Sequence, residues 1–276
     1  MKNKIEQQFN EQAEKYGEKV TAKVFVGRHG EKKHDPNSFE SVLTEHGKEN
    51  SAKLGKTREK VDMKKPYSSN TERTKETSII IAENSPASKL GNYRERAELS
   101  FDYDYNGAFA KEAKAIKDKI LGPDYNELDE AEFNNRLKQA SNEMTNYFLN
   151  FKDKRPDPKT DSPIEAASNM AKILLHYIEM TEKLKTGSTV DLINITHDLN
   201  IAAFLKEIIS DKDNDNDSAD FKIESIGGAI DFNEGFELTI NRADKNNFSL
   251  NLSFRGKEYN IDKETLENLA KAKYKK

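Results

Sequence analysis

Two short apolar runs in this chain stop at a histidine. "VFVGRH" ends in Arg28-His29, and "LINITH" ends in His197. A β-branched run that breaks at a glycine into an arginine and a histidine is a poor core segment. It suits a strand end that opens into a crevice. A third signal lies between them in "SSNTERTKETS", where Arg73 falls in the first turns of a helix after a short extended piece. Helix N-termini attract anions through their open N–H groups and dipole. Arginine suits phosphate because its planar fork donates two parallel hydrogen bonds and stays charged. Strand carboxyl ends of a parallel sheet share one edge, so Arg28, His29, Arg73 and His197 can converge there on a tetrahedral dianion.

The elements that must position these residues follow from periodicity. Ile5, Phe9, Ala13 and Tyr16 predict one face of an N-terminal helix. "TAKVFVG" reads as a buried strand. "LTEHGKENSAKLGKTREK" reads as a helix capped by Thr44, with Ala52 and Leu54 turned inward. After the Arg73 helix the chain becomes polar, with aromatic patches such as "FDYDYNGAF". It then carries a long charged helix pattern up to the Pro-rich "KDKRPDPKTDSP". "PIEAASNMAKILLHYIEMTEKLK" predicts a helix with Pro163 in its first turn and Gly187 as its stop. "LINITH" then leads into the apolar helix "LNIAAFLKEIIS", and "FELTINR" with "FSLNLSFRG" reads as a hairpin toward the end of the sheet. "KETLENLAKAKYKK" reads as a closing helix or a frayed tail. This alternation argues for a single α/β layer domain over residues 1–276, with 92–162 inserted as a helical cap.

The motifs resemble the histidine phosphatase (phosphoglycerate mutase-like) superfamily. The family pattern is Arg-His-Gly at the first strand, Leu-Thr-x-x-Gly opening the next helix, and Ser-x-x-x-Arg-x-x-x-Thr around a second arginine, with a second histidine late in the chain. Arg28-His29-Gly30, Leu43, Thr44, Gly47, Ser69, Arg73, Thr77 and His197 fall at these places. The resemblance implies a three-layer α/β/α sandwich with a mostly parallel central sheet. It also implies a phosphomonoesterase that passes through a phosphohistidine on His29, with Arg28, Arg73 and His197 holding the phosphate oxygens. No metal or other cofactor is expected. For the proton donor it offers Asp198 first, because "THDLN" is similar to the acid phosphatase branch, and Glu98 second, because the mutase-like branch takes its acid from the segment after the second helix. One departure is Asp35, where mutases and bisphosphatases of the family carry asparagine. This favours hydrolysis over a phosphomutase reaction. A non-catalytic phosphate-binding scaffold is the reading from a different class.

Each residue also has a plainer explanation. His29 could be a strand-end histidine satisfied by backbone, Arg73 could pair with Glu72 or Glu76 on a helix surface, and Asp198 could simply cap a helix. Glu31 is open between orienting substrate and capping a loop. His34, His46 and His176 read as surface or core-edge residues, His176 as one packed along its helix. Tyr93, Arg94, Arg96, Phe101, Tyr103 and Tyr105 could line a substrate pocket or pack the insertion itself. Asp213, Asp215, Asp217 and Glu224 have calcium-loop spacing, but Ser218 stands where that loop needs glycine, so a solvated acidic loop is expected.

Composition narrows the partners. A net charge of −4 with interspersed signs leaves no footprint for nucleic acid. The absence of cysteine excludes disulfides, a thiol nucleophile and cysteine-ligated zinc. No segment has the apolar length of a signal peptide or a membrane span. A cytoplasmic protein acting on a small phosphorylated substrate or a phosphoprotein is the expectation, without nucleic acid or membrane partners and with oligomeric state open.

Overall fold

A computed structural model describes residues 19–33, 41–123, 127–209, 221–244 and 246–275. The N-terminal helix pattern, His34, Asp35 and the acidic loop positions Asp213, Asp215 and Asp217 lie outside the described residues.

β1 (Val20–Arg28) is central. Residues Thr21–Arg28 run parallel to β5 (Thr189–Thr196), with Arg28 opposite Thr196, and Val20–Gly27 run antiparallel to β6 (Gly235–Arg242). β2 (Val61–Ser68) lies parallel to β5 on its far side and also pairs in parallel with β3 (Ala87–Leu90) and β4 (Arg94–Glu95). β7 (Phe248–Phe254) and β8 (Lys257–Asn260) complete the sheet as antiparallel strands. Among the described residues the order is β3-β2-β5-β1-β6-β7-β8, with β4 beside β2. The expected hairpin is β6–β7, near one end of the sheet. β6 lies directly against β1, so the loop that enters β6 opens on the edge where β1, β2 and β5 end.

β1 alternates because both of its faces are covered. Ala22, Val24 and Val26 belong to the larger core, while Phe25 points to the other face with Ile193, Ile195, Ile81 and Ala82. That second face is covered by α1 (Glu45–Thr57) and α2 (Glu72–Asn84). α5 (Pro163–Thr181), α6 (Asp198–Ile209) and α7 (Lys263–Lys271) cover the first, which gives the three-layer α/β/α sandwich. α5 starts where the sequence indicates. Ser162 and Glu165 form a reciprocal capping box and Pro163 occupies the first turn. It ends at Thr181, well short of Gly187, which bends the chain at φ +81° before β5.

Between β4 and α5 come α3 (Ala108–Leu121) and α4 (Glu130–Leu149), which pack on each other. Phe109 stacks on Tyr147 at 5.7 Å, and Phe101 meets Phe148 edge-on at 5.4 Å. Phe109 and Phe148 join the main hydrophobic core, and Phe101 and Tyr103 pack against it, so these aromatics do not form a separate small core. Among the described residues no helix is long and apolar enough to cross a membrane.

Candidate active site

His29 leaves β1 at the sheet edge, and Gly30 follows because nothing larger fits. A Cβ there would stand 2.9 Å from Ser51 Oγ and 3.0 Å from the Gly47 carbonyl. Gly30 N–H donates to Thr77 Oγ1 (3.0 Å), whose hydroxyl donates in turn to the Arg73 carbonyl (2.7 Å). The loop of the first histidine is thus tied to the helix of the second arginine. α1 begins with Thr44 accepting from Gly47 N–H (2.9 Å). Its most buried stripe is Gly47, Ser51 and Gly55; Leu54 packs half-buried against the Phe25 core as expected, while Ala52 is only half-buried. The stripe is small because of close approach: a Cβ on Gly47 would overlap the Glu31 carbonyl oxygen.

The buried His29 ring places Nδ1 2.8 Å from the Gly30 carbonyl oxygen. A carbonyl only accepts, so Nδ1 carries the hydrogen and Nε2 keeps its lone pair. Burial is the main force that holds the His29 pKa well below the usual histidine value, with His197, Arg28 and Arg73 adding to it. His197 lies 5.6 Å away ring to ring, at 70°. Its Nδ1 is 3.4 Å from Arg73 Nη2, and its Nε2 is 3.2 Å from Ser69 Oγ. Arginine only donates, so Nδ1 accepts and Nε2–H donates to the serine. The His197 pKa is pushed down too, by burial first and then by Arg73. Both rings are therefore neutral at ordinary pH.

Arg28 donates from Nη1 to the Ile230 carbonyl (2.6 Å) and pairs through Nη2 with Asp198 Oδ2 (3.2 Å). Its Nε is buried without a hydrogen-bond partner among the described residues, a donor that a phosphate oxygen would satisfy. Arg73 is 7% exposed, and burial lowers its pKa. It is not half of a surface pair. Glu72 engages Lys75 and Glu76 engages Lys48, while Arg73 faces His197 and the Tyr105 hydroxyl. Asp198 opens α6 and also accepts from its neighbour Leu199 N–H (3.0 Å). Glu98 sits half-buried in the 3-10 turn Ala97–Leu99, where its charge bears on the buried Tyr177.

Other sequence candidates go elsewhere. The Glu31 carboxylate meets exposed His46 (2.7 Å). His176 is exposed beside Arg96 (3.2 Å) rather than packed. Tyr93 hydrogen-bonds Ser68 (2.9 Å), and Arg94 is exposed. Two side chains that sequence reasoning missed join the site. The Phe232 ring lies 5.8 Å from the His29 ring and 4.3 Å from the Arg28 guanidinium carbon. Lys32, half-buried, has its pKa lowered to about 8 by burial and then by Arg73, with Arg28 and Lys117 adding to the effect while Asp198 opposes it. Phe232 left one trace in the sequence, an apolar residue between Asp231 and Asn233 in a turn bounded by glycines.

The assembly sets an unprotonated imidazole nitrogen among three cations and one carboxylate. Such a site attracts a dianion and can attack its phosphorus.

Residues 24–121 match the family model of the histidine phosphatase superfamily (branch 1). No curated protein sequence matches the chain. Solved structures similar to it include "Mycobacterial hydrolase 1", with 13% identity over 88% of this chain and 99% of that one at a TM-score of 0.49. A mycobacterial glucosyl-3-phosphoglycerate phosphatase matches at 13% identity over 88% and 100%, with a TM-score of 0.47. A phosphoserine phosphatase from Entamoeba histolytica matches at 12% over 88% and 95%, with a TM-score of 0.44. The matched segment contains Arg28, His29 and Arg73 together with the Thr44, Gly47, Ser69 and Thr77 contacts that hold them, and over these residues the chain is similar to the histidine phosphatase superfamily.

Proposed function

We propose that the protein is a phosphomonoesterase that works through a covalent phosphohistidine. The observation that carries this reading is the His29 tautomer. Its Nδ1–H is committed to Gly30, and its Nε2 lone pair faces a site held by Arg28 and Arg73. Nε2 attacks phosphorus, the phosphorus–oxygen ester bond breaks, and the leaving oxygen takes the proton of the Asp198 carboxyl. Water then gives a proton back to the Asp198 carboxylate as it attacks phosphorus. The phosphorus–nitrogen bond breaks, inorganic phosphate leaves, and His29 is restored. The two arginines stabilise charge on the equatorial oxygens. His197 holds Arg73 in line and donates to the phosphate when that anion displaces Ser69. Residues 92–162 act as a cap that shapes the substrate pocket, supported by the Tyr105 hydroxyl on Arg73.

The test is hydrolysis of p-nitrophenyl phosphate in the presence of a chelator, with His29→Ala alongside. Turnover by the wild type, base-stable and acid-labile phosphate on His29, and loss of both in the variant are expected. Full activity of His29→Ala removes the nucleophile assignment.

A further inference from the structure

Among the described residues, few large apolar side chains stand exposed. Two of them, Tyr105 at 45% and Phe232 at 40%, touch the phosphate arginines. Phe232 packs one face under the Arg28 guanidinium at 4.3 Å and lies beside the nucleophile ring at 5.8 Å. Tyr105 stacks edge-on against Tyr103 at 4.6 Å while its hydroxyl engages Arg73. Each arginine that would hold the phosphate is thus flanked by an aromatic ring with open surface.

The loop that carries Phe232 is held in advance. Arg255, in the β7–β8 turn at φ +48°, donates to the carbonyls of Ile226 (2.7 Å), Gly228 (3.0 Å) and Ala229 (2.9 Å). It also grips both carboxylate oxygens of Glu234 at 2.6 Å. The same loop returns two backbone contacts to the site, Glu234 O with Arg28 N (2.8 Å) and Asn233 N with His29 O (3.4 Å). A partly wet apolar ring on a loop held this way gains from a flat apolar partner, because little ordering of the loop opposes binding.

We infer that the pocket accepts a phosphate monoester whose leaving group carries an aromatic ring, with Phe232 as the specificity-determining residue. The inference rests on the phosphatase reading for its chemistry, but the ring contact is tested by binding alone. Benzylphosphonate and methylphosphonate are titrated calorimetrically into the wild type, Phe232→Ala and Phe232→Tyr. The wild type should bind benzylphosphonate about tenfold more tightly than methylphosphonate, a difference of about 1.4 kcal/mol. That ratio should fall near one in Phe232→Ala and return in Phe232→Tyr. Equal affinities in the wild type, or an unchanged ratio in Phe232→Ala, overturn the inference. Turnover of 2-phenylethyl phosphate against glycerol phosphate is measured in parallel, since both leaving groups are alkyl alcohols that need the same proton. Selective phosphonate binding with no hydrolysis of either ester retains the pocket and removes the phosphatase. Hydrolysis without ring preference does the reverse.

Discussion

Arg28 Nη2 stands 3.2 Å from Asp198 Oδ2, which ties the residue before His29 to the first residue of the helix after β5. Both side chains are largely shielded, and the contact follows from register, because Arg28 lies opposite Thr196 across the parallel β1–β5 ladder. In the proposed mechanism, an arriving phosphate dianion shares Arg28 with this carboxylate.

Asp198→Asn should therefore separate binding from chemistry. Phosphate and vanadate should bind more tightly, since the anion no longer competes with a carboxylate for Arg28. Hydrolysis of alkyl phosphates should fall by about a hundredfold, the order of a lost general acid. An aryl phosphate, whose leaving group departs without a proton, should lose much less. Equal losses on both substrate types would take Asp198 out of the acid role, and the same comparison on Glu98→Gln would follow.

Arg58 carries the clearest stability prediction. It extends from the end of α1 to Asp191 in β5 through Nε (2.5 Å) and Nη2 (2.7 Å), and to Glu237 in β6 (2.8 Å). Asp191 is almost fully buried, and the neighbouring Lys64 Nζ has no hydrogen-bond partner among the described residues. Arg58→Ala strands a buried carboxylate, which costs about 3 kcal/mol when one partner of such a pair is removed. For a chain of this length, that is a drop in Tm of roughly 6–12 °C. Asp191 pairs in the β1–β5 ladder with Lys23, five residues before Arg28 on β1, so the buried carboxylate lies away from the strand ends that carry the site and activity at 25 °C should persist. A melting temperature within a degree or two of the wild type would mean that Lys64 takes over the pairing.

The site was legible in sequence where its chemistry follows strand direction. Arg28-His29 and His197 come together because β1 and β5 are parallel neighbours, and Ser69, Thr77 and Gly47 anchor them through contacts that their small or hydroxylated side chains permit. What stayed hidden depends on pairing that local pattern does not encode. The alternation in "FELTINR" predicts a strand and a hairpin, but not that β6 lies against β1, which is what delivers Phe232. Hydrophobic spacing found Leu54, which packs on the second core, but not the Gly47, Ser51 and Gly55 stripe, because helix and loop approach so closely there that only small residues fit. Arg58 carried no signal in the sequence, because its partner Asp191 lies far away along the chain inside an apolar strand.

Arg255 should act as a positioning residue. Its guanidinium bonds to Ile226, Gly228, Ala229 and Glu234, and so closes the loop that seats His29 and Arg28. Arg255→Ala should lower kcat by on the order of 10- to 100-fold, the usual cost of a misplaced reacting group. KM for small phosphates should change less, because the arginines that bind phosphate remain. Lysine cannot reproduce the fork of contacts, so Arg255→Lys should recover little. A parallel rise in KM with kcat unchanged would assign the loop to binding alone.

The pH dependence has two limbs with different owners. His29 is held below the ordinary histidine value, so its Nε2 stays unprotonated into mildly acidic solution. The acid limb of kcat/KM should then fall below about pH 6.5, where an unperturbed histidine would have begun to take up a proton. Lys32 sets the other limb. Its pKa is lowered to about 8, mainly by burial and then by Arg73, so it is charged below that pH and neutral above it. As pH rises through about 8, the site loses one of its cations, the dianion binds less well, and kcat/KM should decline. Lys32→Met should reduce kcat/KM at pH 7 and abolish the basic limb, because no charge remains to titrate. Lys32→Arg should keep the activity and move the limb beyond pH 10, since guanidinium does not deprotonate in this range, about pH 12 being needed. A basic limb near pH 8 that survives in Lys32→Met would show that another group titrates there and that Lys32 does not contribute its charge to the bound phosphate.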